Sequence, residues 1–297
     1  MPRGPSRRAQ PRRARRVGLL PALLVLLGVL VVPGRAGADG RPAAEIVPAV
    51  TAAYGPTGTF AVVVARQQTR AEGRSLRAAE ARSARVEAAS ADNGLADRPF
   101  ATASLAKLFV AEDVLHRART GAVALEPADL AWLQEMIRSS GDLAASLLWE
   151  RFDGDRMVRD VAARYGLTGT APPRISGQWG ETTTTARDLA RFLTRLPLVA
   201  HPADAATLLE WMRSATPTAA DGFDQRFGIL GTAPGRPAVK QAWMCCVAGA
   251  KHLHSTGLVG SRVVVLLSEV PQSVSWDAAR TALSAAAAAV PPPHEPC

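Results

Sequence analysis

The alternation of apolar and polar positions divides the chain into two strand-forming ends and a helix-forming middle. Apolar residues run without interruption over 60–65 and again over 263–267, as in buried strands. Between these runs apolar residues recur every three or four positions, which predicts a succession of amphipathic helices. The predicted helices cover 104–119, 127–136, 142–152, 157–165, 186–196 and 202–213, and an additional strand is expected near 75–82.

Three strands and a closing helix are predicted after the helical block. Turn residues at 248–249 and 260–261 separate the predicted strands, and three prolines end the helix. The strands cover 238–247, 252–259 and 263–269, and the helix covers 276–290. Because strands lie at both ends, we expect one antiparallel sheet built from both ends of the chain and flanked by helices. The helical block, about 105–215, then forms an inserted all-α lobe of an α/β domain.

The first 38 residues have the three parts of an export signal. Six arginines between positions 7 and 16 precede the apolar stretch Val17–Val32, and Ala36-Gly37-Ala38 offers a small-residue cleavage site. The apolar stretch is short for a membrane span. We expect a signal peptide over 1–38, with an uncleaved amino-terminal anchor as the alternative. The domain over 39–297 would then be secreted or associated with the cell envelope, and membrane attachment would come only through that anchor.

The positive charge of the chain is concentrated in this leader. Residues 1–38 hold eight arginines and no acid, which leaves 27 basic and 26 acidic residues in the rest of the chain. A nearly neutral domain gives no electrostatic reason to bind phosphate backbones, so a nucleic-acid partner is excluded. We expect a monomer.

The three cysteines permit more than one arrangement. Cys245 and Cys246 are neighbours on a predicted strand, where consecutive side chains point to opposite faces. One of them could pair with Cys297, or all three could remain thiols.

Lysine is scarce in this sequence, and its positions draw attention. Of 35 basic residues only Lys107, Lys240 and Lys251 are lysine. Lysine can lose its proton when buried, whereas arginine cannot. Ser104 precedes Lys107 by three residues, so on a helix the two side chains share a face. A neutral amine there could take the proton of the hydroxyl and activate it as a nucleophile.

The run Pro99–Phe109, which contains Ser104 and Lys107, resembles the first motif of class A serine β-lactamases and penicillin-binding D,D-peptidases. Their second motif appears in altered form within 136–148, with Ser140 at the serine, Gly141 at the aspartate and Asp142 at the asparagine. The third keeps only Lys240, and the run 181–186 is similar to the threonine-rich segment that follows the Ω loop of the family. The similarity extends over about 60–290.

The resemblance implies a role for each of these residues. Ser104 would be acylated and Lys107 would be its base, while Ser140, with Asp142 partly replacing a missing carboxylate, would relay a proton to the leaving nitrogen. Lys240 would hold a substrate carboxylate, next to a substrate-binding segment of Gln241 and Ala242. The backbone N–H groups of Ser104 and Trp243 would form the oxyanion hole.

Departures from the family pattern bear on the expected activity. Gly141 supplies no carboxylate, and Gln241 and Ala242 replace a threonine and a glycine. The stretch 166–180 contains no acid where class A β-lactamases place the glutamate that drives deacylation, and Glu181 falls too late. We therefore expect slow or no β-lactam turnover.

The sequence predicts a serine acyl-transfer hydrolase that acts on a peptidoglycan-type peptide or, as a poor substrate, a β-lactam. Two alternatives remain: a true class A-like β-lactamase, and a non-catalytic cell-wall binding protein with a decayed site. At the local level, Ser140 could simply cap the helix that begins at Asp142. No metal or organic cofactor is implied, because the pair His252 and His254 has no third ligand nearby in the sequence.

Overall fold

The computed structural model describes residues 41–67 and 90–291. The predicted signal peptide and the strand expected near 75–82 lie outside these residues, as does Cys297. Within them, no helix combines the length and the apolar character that a membrane span needs.

The described residues contain every predicted helix and the four predicted long strands, together with the helices Ala43–Tyr54 and Gly228–Thr232 and three two-residue strands that the sequence analysis did not predict. The helices are α1 (Ala43–Tyr54), α2 (Ala106–Arg119), α3 (Pro127–Arg138), α4 (Asp142–Phe152), α5 (Gly154–Tyr165), α6 (Ala186–Val199), α7 (Pro202–Arg213), α8 (Gly228–Thr232) and α9 (Trp276–Ala288). The strands are β1 (Thr59–Arg66), β2 (Ala91–Asp92), β3 (Phe100–Ala101), β4 (Thr183–Thr184), β5 (Ala238–Val247), β6 (Ala250–Val259) and β7 (Arg262–Pro271). Short 3₁₀ turns cover Ala103–Leu105 and Trp179–Glu181.

One five-stranded antiparallel sheet joins the two ends of the domain, in the order β2-β1-β7-β6-β5. Strand β1 pairs with β7 along its whole length, from Thr59 opposite Glu269 to Arg66 opposite Arg262. The predicted antiparallel α/β architecture with helices between the terminal strands is therefore confirmed. Strand β5 lies at one edge of the sheet and contacts the 3₁₀ turn that contains Ser104.

Both faces of the sheet are buried, which explains the uninterrupted apolar runs. Along β1, Ala61, Val63 and Ala65 belong to the core under the helical lobe, whereas Val62 and Val64 belong to a second core under α1 and α9. Alternate side chains of a strand point to opposite faces, so a strand covered on both faces must be apolar at every position.

Helix α1 is an element that the sequence analysis did not predict. Its buried residues are Ile46, Val47, Val50 and Tyr54, and Pro48 lies inside the helix. Pro48 is the sixth residue of the helix, so it removes one backbone hydrogen bond, and the burial of these four side chains favours the helix despite that loss. The apolar spacing was thus the better guide than the prolines.

Candidate active site

Ser104 and Lys107 meet at the start of α2. A 3₁₀ turn contains Ser104, and α2 begins two residues later, so the predicted helix starts later than expected. Both side chains are buried, and the Lys107 Nζ lies 3.0 Å from the Ser104 Oγ. The spacing of three residues therefore produces the contact that the sequence predicts.

Ser140 links Lys107 to a second lysine. Its backbone lies in the left-handed region, with φ +56°, which is uncommon for a residue with a side chain. In this conformation its carbonyl oxygen accepts a hydrogen bond from Lys107 Nζ at 2.6 Å, and its hydroxyl oxygen accepts one from Lys240. The alternative that Ser140 caps α4 is wrong, because Gly141 holds the cap position and no side chain caps this helix.

Asp142 lies at the first turn of α4 and contacts the same amine. Its Oδ1 is 2.6 Å from Lys107 Nζ, although most of the carboxylate faces solvent. Burial lowers the pKa of Lys107 below its ordinary value, and the charge and hydrogen bond of Asp142 oppose that effect. With Ser104 and Ser140, Asp142 completes three acceptors around Lys107.

Lys240 is placed by strand β5 behind Ser140. It is 1% exposed and donates to the Ser140 hydroxyl and to the Gln241 carbonyl. Within the described residues no carboxylate forms an ion pair with it. Burial, and then the charge of Lys107, lower its pKa well below the ordinary value. The five predicted side chains thus form one connected group, in which Lys240 contacts Ser140, while Ser140, Asp142 and Ser104 contact Lys107.

A cleft of about 540 Å³ opens in front of Ser104. Its walls come from the 3₁₀ turn at 103–105, the start of α4, the segment 177–181 and strand β5. The residues that line it are Ala103, Ser104, Asp142, Ser146, Gly177, Gln178, Trp179, Gly180, Glu181, Asp221, Trp243, Met244 and Cys245. The nucleophile candidate is therefore accessible from solvent.

The predicted substrate-binding segment after Lys240 needs correction. Gln241 is buried and its amide nitrogen donates to the carbonyl oxygens of Gln225 and Phe227, away from the cleft. Alternation along β5 turns this side chain to the face opposite that of Lys240. Ala242 shares the face of Lys240 but is fully buried. Neither side chain is available to bind a substrate.

Trp243 and Ser104 both line the cleft, as a shared oxyanion hole requires. The Trp243 indole stacks on Phe223 with ring centres 4.5 Å apart, and its Nε1 donates to Asp221. These two contacts fix the orientation of the Trp243 side chain. The oxyanion role of the two backbone N–H groups stays a prediction.

The structure also brings forward residues that the sequence analysis passed over. The Trp179 ring lies 4.6 Å from Lys107 Nζ and covers the amine from the cleft side. Glu181, set aside as too late in the chain, lines the same cleft. Gln225 accepts a hydrogen bond from the Ser140 hydroxyl at 3.1 Å. Trp179 and Gln225 belong to no motif, so only the folded chain reveals them.

Cys245 and Cys246 are joined to each other by a disulfide at the end of β5. The expectation that neighbouring side chains on a strand point to opposite faces does not hold here, because the pairing with β6 is irregular between Cys245 and Val247. Cys245 contributes to the rim of the cleft.

The two histidines of β6, His252 and His254, are both buried. His254 is fully buried, accepts a hydrogen bond from the Ser268 N–H at Nδ1, and donates from Nε2 to the Ala101 carbonyl. Burial lowers its pKa to about 3. Over the described residues no group of three or more potential metal ligands occurs. His254 thus holds the strand that leads to Ser104 as a neutral ring.

Comparisons with known proteins agree with this architecture. No protein-family model matches the sequence. A protein named "Putative lipoprotein LppW", found in Mycobacterium tuberculosis (strain ATCC 25618 / H37Rv) and Mycobacterium bovis (strain ATCC BAA-935 / AF2122/97), is 41% identical over 193 residues. The match covers 63% of this chain and 61% of the relative, so the chain spans less than two thirds of the length of that protein.

Solved structures with a similar fold are β-lactamases. The β-lactamase from Sphaerobacter thermophilus DSM 20745 superposes with a TM-score of 0.58 at 18% identity, over 83% of this chain and 95% of that one. A β-lactamase from Chitinophaga pinensis DSM 2588 gives 0.61 at 12% identity, over 81% and 96%. The fold is therefore that of the class A β-lactamases, as the sequence motifs predicted.

Proposed function

We propose that this protein is a serine acyl-transfer hydrolase that forms an acyl-enzyme on Ser104. The observation that carries the proposal is the 3.0 Å contact between the Ser104 hydroxyl and a buried lysine, at the floor of an open cleft. A buried amine with a lowered pKa is suited to take the proton of a serine as its oxygen attacks a carbonyl carbon.

Ser140 and Lys240 are suited to the later part of acylation, in which the leaving group departs. When the tetrahedral intermediate collapses, the leaving nitrogen needs a proton, and Ser140 can supply it. Lys240 can then return a proton to the Ser140 oxygen, since it already donates a hydrogen bond there. In this proposal Lys240 acts through Ser140, and the two backbone N–H groups of Ser104 and Trp243 stabilise the oxyanion.

The substrate class that we propose is a peptidoglycan-type peptide outside the cytoplasm. The export signal predicted over 1–38 and the lipoprotein name of the mycobacterial relative support an envelope location. The β-lactamase fold supports acyl donors that contain an amide or a lactam. A β-lactam would acylate Ser104 and leave slowly.

We expect slow deacylation because of the carboxylates and the indole ring that lie around the proposed acyl-enzyme. Of the carboxylates that line the cleft, Asp142 contacts Lys107, and Asp221 accepts hydrogen bonds from Trp243 and from the Phe223 N–H. The Trp179 indole covers Lys107, and an indole ring cannot deprotonate a water molecule.

Glu181 favours one alternative, a true β-lactamase. It is exposed on the cleft, where a carboxylate could activate water. We expect Glu181→Gln to change the lifetime of a β-lactam adduct less than twofold. A lifetime at least tenfold longer would identify Glu181 as the deacylating base and favour the β-lactamase.

The surroundings of Lys107 favour the other alternative, a non-catalytic binding protein. Its amine faces three oxygen acceptors at 2.6–3.0 Å, as many as an ammonium has hydrogens. An ammonium cannot accept the Ser104 proton, so the amine must lose a proton before acylation. If it never does so, the cleft binds its ligand without reaction.

Intact mass spectrometry after incubation with a fluorescent penicillin tests the proposal. We expect the full-length chain to gain the mass of one penicillin and to keep it for minutes or longer. Ser104→Ala should abolish the adduct, and Ser139→Ala, which removes a hydroxyl that donates only to a helix carbonyl, should keep it. No adduct from penicillin, or from thioester and peptide acyl donors, would favour the binding protein. Release within seconds would favour the β-lactamase.

A further inference from the structure

Gln225 lies in the loop between α7 and α8, and its side chain is buried behind Ser140. Its amide nitrogen donates to the Thr216 carbonyl at 2.8 Å and lies 3.2 Å from both the Arg138 carbonyl and the Thr216 hydroxyl oxygen. Rotating the amide by half a turn would place its oxygen against two carbonyl oxygens. The amide therefore has one stable orientation, with Oε1 toward Ser140.

The backbone of Gln225 is held as well. Its N–H donates to the Pro217 carbonyl at 2.8 Å, and its carbonyl accepts from the Gln241 side chain at 2.9 Å. The same loop is tied to the turn before Ser140, because the Thr216 N–H donates to the Arg138 carbonyl and the Ala220 N–H donates to the Ser139 carbonyl. The Gln225 acceptor is thus fixed relative to Ser140.

A serine hydroxyl has one hydrogen to donate. The Gln225 Oε1 has none, so the hydrogen between these two groups comes from Ser140. The Ser140 oxygen is then left with lone pairs only, and the hydrogen between it and Lys240 comes from the amine. The other bond of Lys240, to the Gln241 carbonyl, also uses a hydrogen of the amine.

We propose that Gln225 is a positioning residue that fixes the direction of the hydrogen bond between Lys240 and Ser140, with the lysine as donor. This rests on the proposed function, in which Ser140 supplies the proton of the leaving nitrogen. When the Ser140 O–H turns from Gln225 to the leaving nitrogen and gives up its hydrogen, an N–H bond of the Lys240 ammonium that already points at the Ser140 oxygen breaks, a new O–H bond forms, and Lys240 is left as a neutral amine. The relay therefore runs in one direction, from Lys240 through Ser140 to the leaving group.

Lysine labelled with ¹³C at Cε offers a direct test, because the whole chain contains three lysines. The titration midpoint of Lys240 depends on its burial, on the charges of Lys107 and Asp142, and on its hydrogen bonds. If Ser140 is an acceptor for the ammonium, Ser140→Ala lowers the midpoint of Lys240 by about one pH unit. A midpoint that rises or stays in place overturns the proposal, since a hydroxyl that donates to the amine would stabilise its neutral form.

Gln225→Met tests the residue itself. It frees the Ser140 hydroxyl to donate to the neutral amine, so the Lys240 midpoint should again fall by about one pH unit. In a Ser140→Ala background the same change should have no effect, because Gln225 acts through that hydroxyl. An equal shift of the Lys240 midpoint in both backgrounds would show that Gln225 has a merely structural role and does not act through the Ser140 hydroxyl. Gln134→Met, on the exposed side of α3, is the matched control and should leave the Lys240 midpoint unchanged, and the Lys251 signal is the internal control.

The acylation rate supplies the second readout. Gln225→Met should slow acylation by penicillin about tenfold in the wild-type background and less than twofold in the Ser140→Ala background. If the wild-type chain forms no acyl-enzyme, the proposed function fails while the titrations still decide the role of Gln225. If Gln225→Met does not fold, the sign of the shift in Ser140→Ala decides it.

Discussion

The protein buries two clusters of charged residues, and they are built on opposite principles. In the helical lobe, Arg164 lies 2.7 Å from both Glu112 and Asp113, and the Tyr165 hydroxyl donates to Glu112. Every charge there faces an opposite charge, and this cluster, Glu112–Asp113–Arg164–Tyr165, is called the lobe cluster below. In the candidate site, two lysines are buried, and of these only Lys107 pairs with a carboxylate, the largely exposed Asp142.

The difference separates a structural role from a chemical one. Buried charges are tolerated when they are paired, because pairing offsets part of the loss of hydration. The lobe cluster meets that condition and has no access to the cleft. The candidate site does not meet it, and its lysines have lowered pKa values as a result. Groups kept in such an unfavourable state are common at functional sites.

The largest expected effect comes from breaking the lobe cluster. Arg164→Met leaves the buried Glu112 without its cation and Asp113 with only Arg117, 3.5 Å away, and we expect a loss of about 3–5 kcal/mol in the free energy of unfolding. Urea denaturation followed by circular dichroism measures this loss. Arg156→Met, on an exposed pair with Asp160, is the matched control and should cost less than about 1 kcal/mol. Equal losses would remove the distinction between the lobe cluster and a surface pair.

Lys240→Met should raise the free energy of unfolding, whereas Arg164→Met lowers it. The lysine has no ionic partner among the described residues, so an apolar side chain of similar length should stabilise the fold by about 1–3 kcal/mol while it abolishes acylation. Because burial lowers the folded-state pKa of Lys240, the unfolded chain holds more protons between that pKa and about 10.4.

The stability of the wild-type chain should therefore rise with pH across that interval, owing to Lys240. Urea midpoints measured from pH 6 to pH 10 check this slope, which Lys240→Met should reduce. A variant that is less stable than the wild type at every pH would show that Lys240 is a structural residue, like those of the lobe cluster.

The smallest expected effect is that of replacing Asp142, the carboxylate that pairs with Lys107. Asp142 raises the pKa of Lys107 against the effect of burial, so Asp142→Asn should lower that pKa further. Acylation requires the neutral amine of Lys107. The pH below which the acylation rate falls should therefore decrease by about one unit. Acylation rates measured from pH 5 to pH 9 give this pH. A shift to higher pH, or none, would mean that Lys107 is not the base.

The sequence was informative where a pattern depends on local spacing. The bounds of α4, α7 and β5 were predicted to the residue, and Ser104, Lys107, Ser140, Asp142 and Lys240 come together as expected. Periodicity reports burial, and a motif reports spacing, so both can be read without tertiary structure.

The rest depends on contacts between distant segments. Gln225 reaches Ser140 across 85 residues, from a loop without a motif. The orientation of Gln241 follows from which face of β5 meets the helical lobe, a choice that the register of the sheet makes. Trp179 and Glu181 reach the cleft through the path of a long loop, which no local pattern predicts.

The pairing of β1 with β7 has a consequence for the order of events in the life of the chain. Thr59 pairs with Glu269, 210 residues later, so the strand pair of β1 and β7 forms only after the chain has been synthesised through Glu269. The lysine of β5 belongs to that late part of the chain, as does the glutamine that faces Ser140. A nascent chain that has not reached these residues therefore contains Ser104 and Lys107 but has neither a finished sheet nor Lys240, and the candidate site is complete only after the segment through β7 has folded.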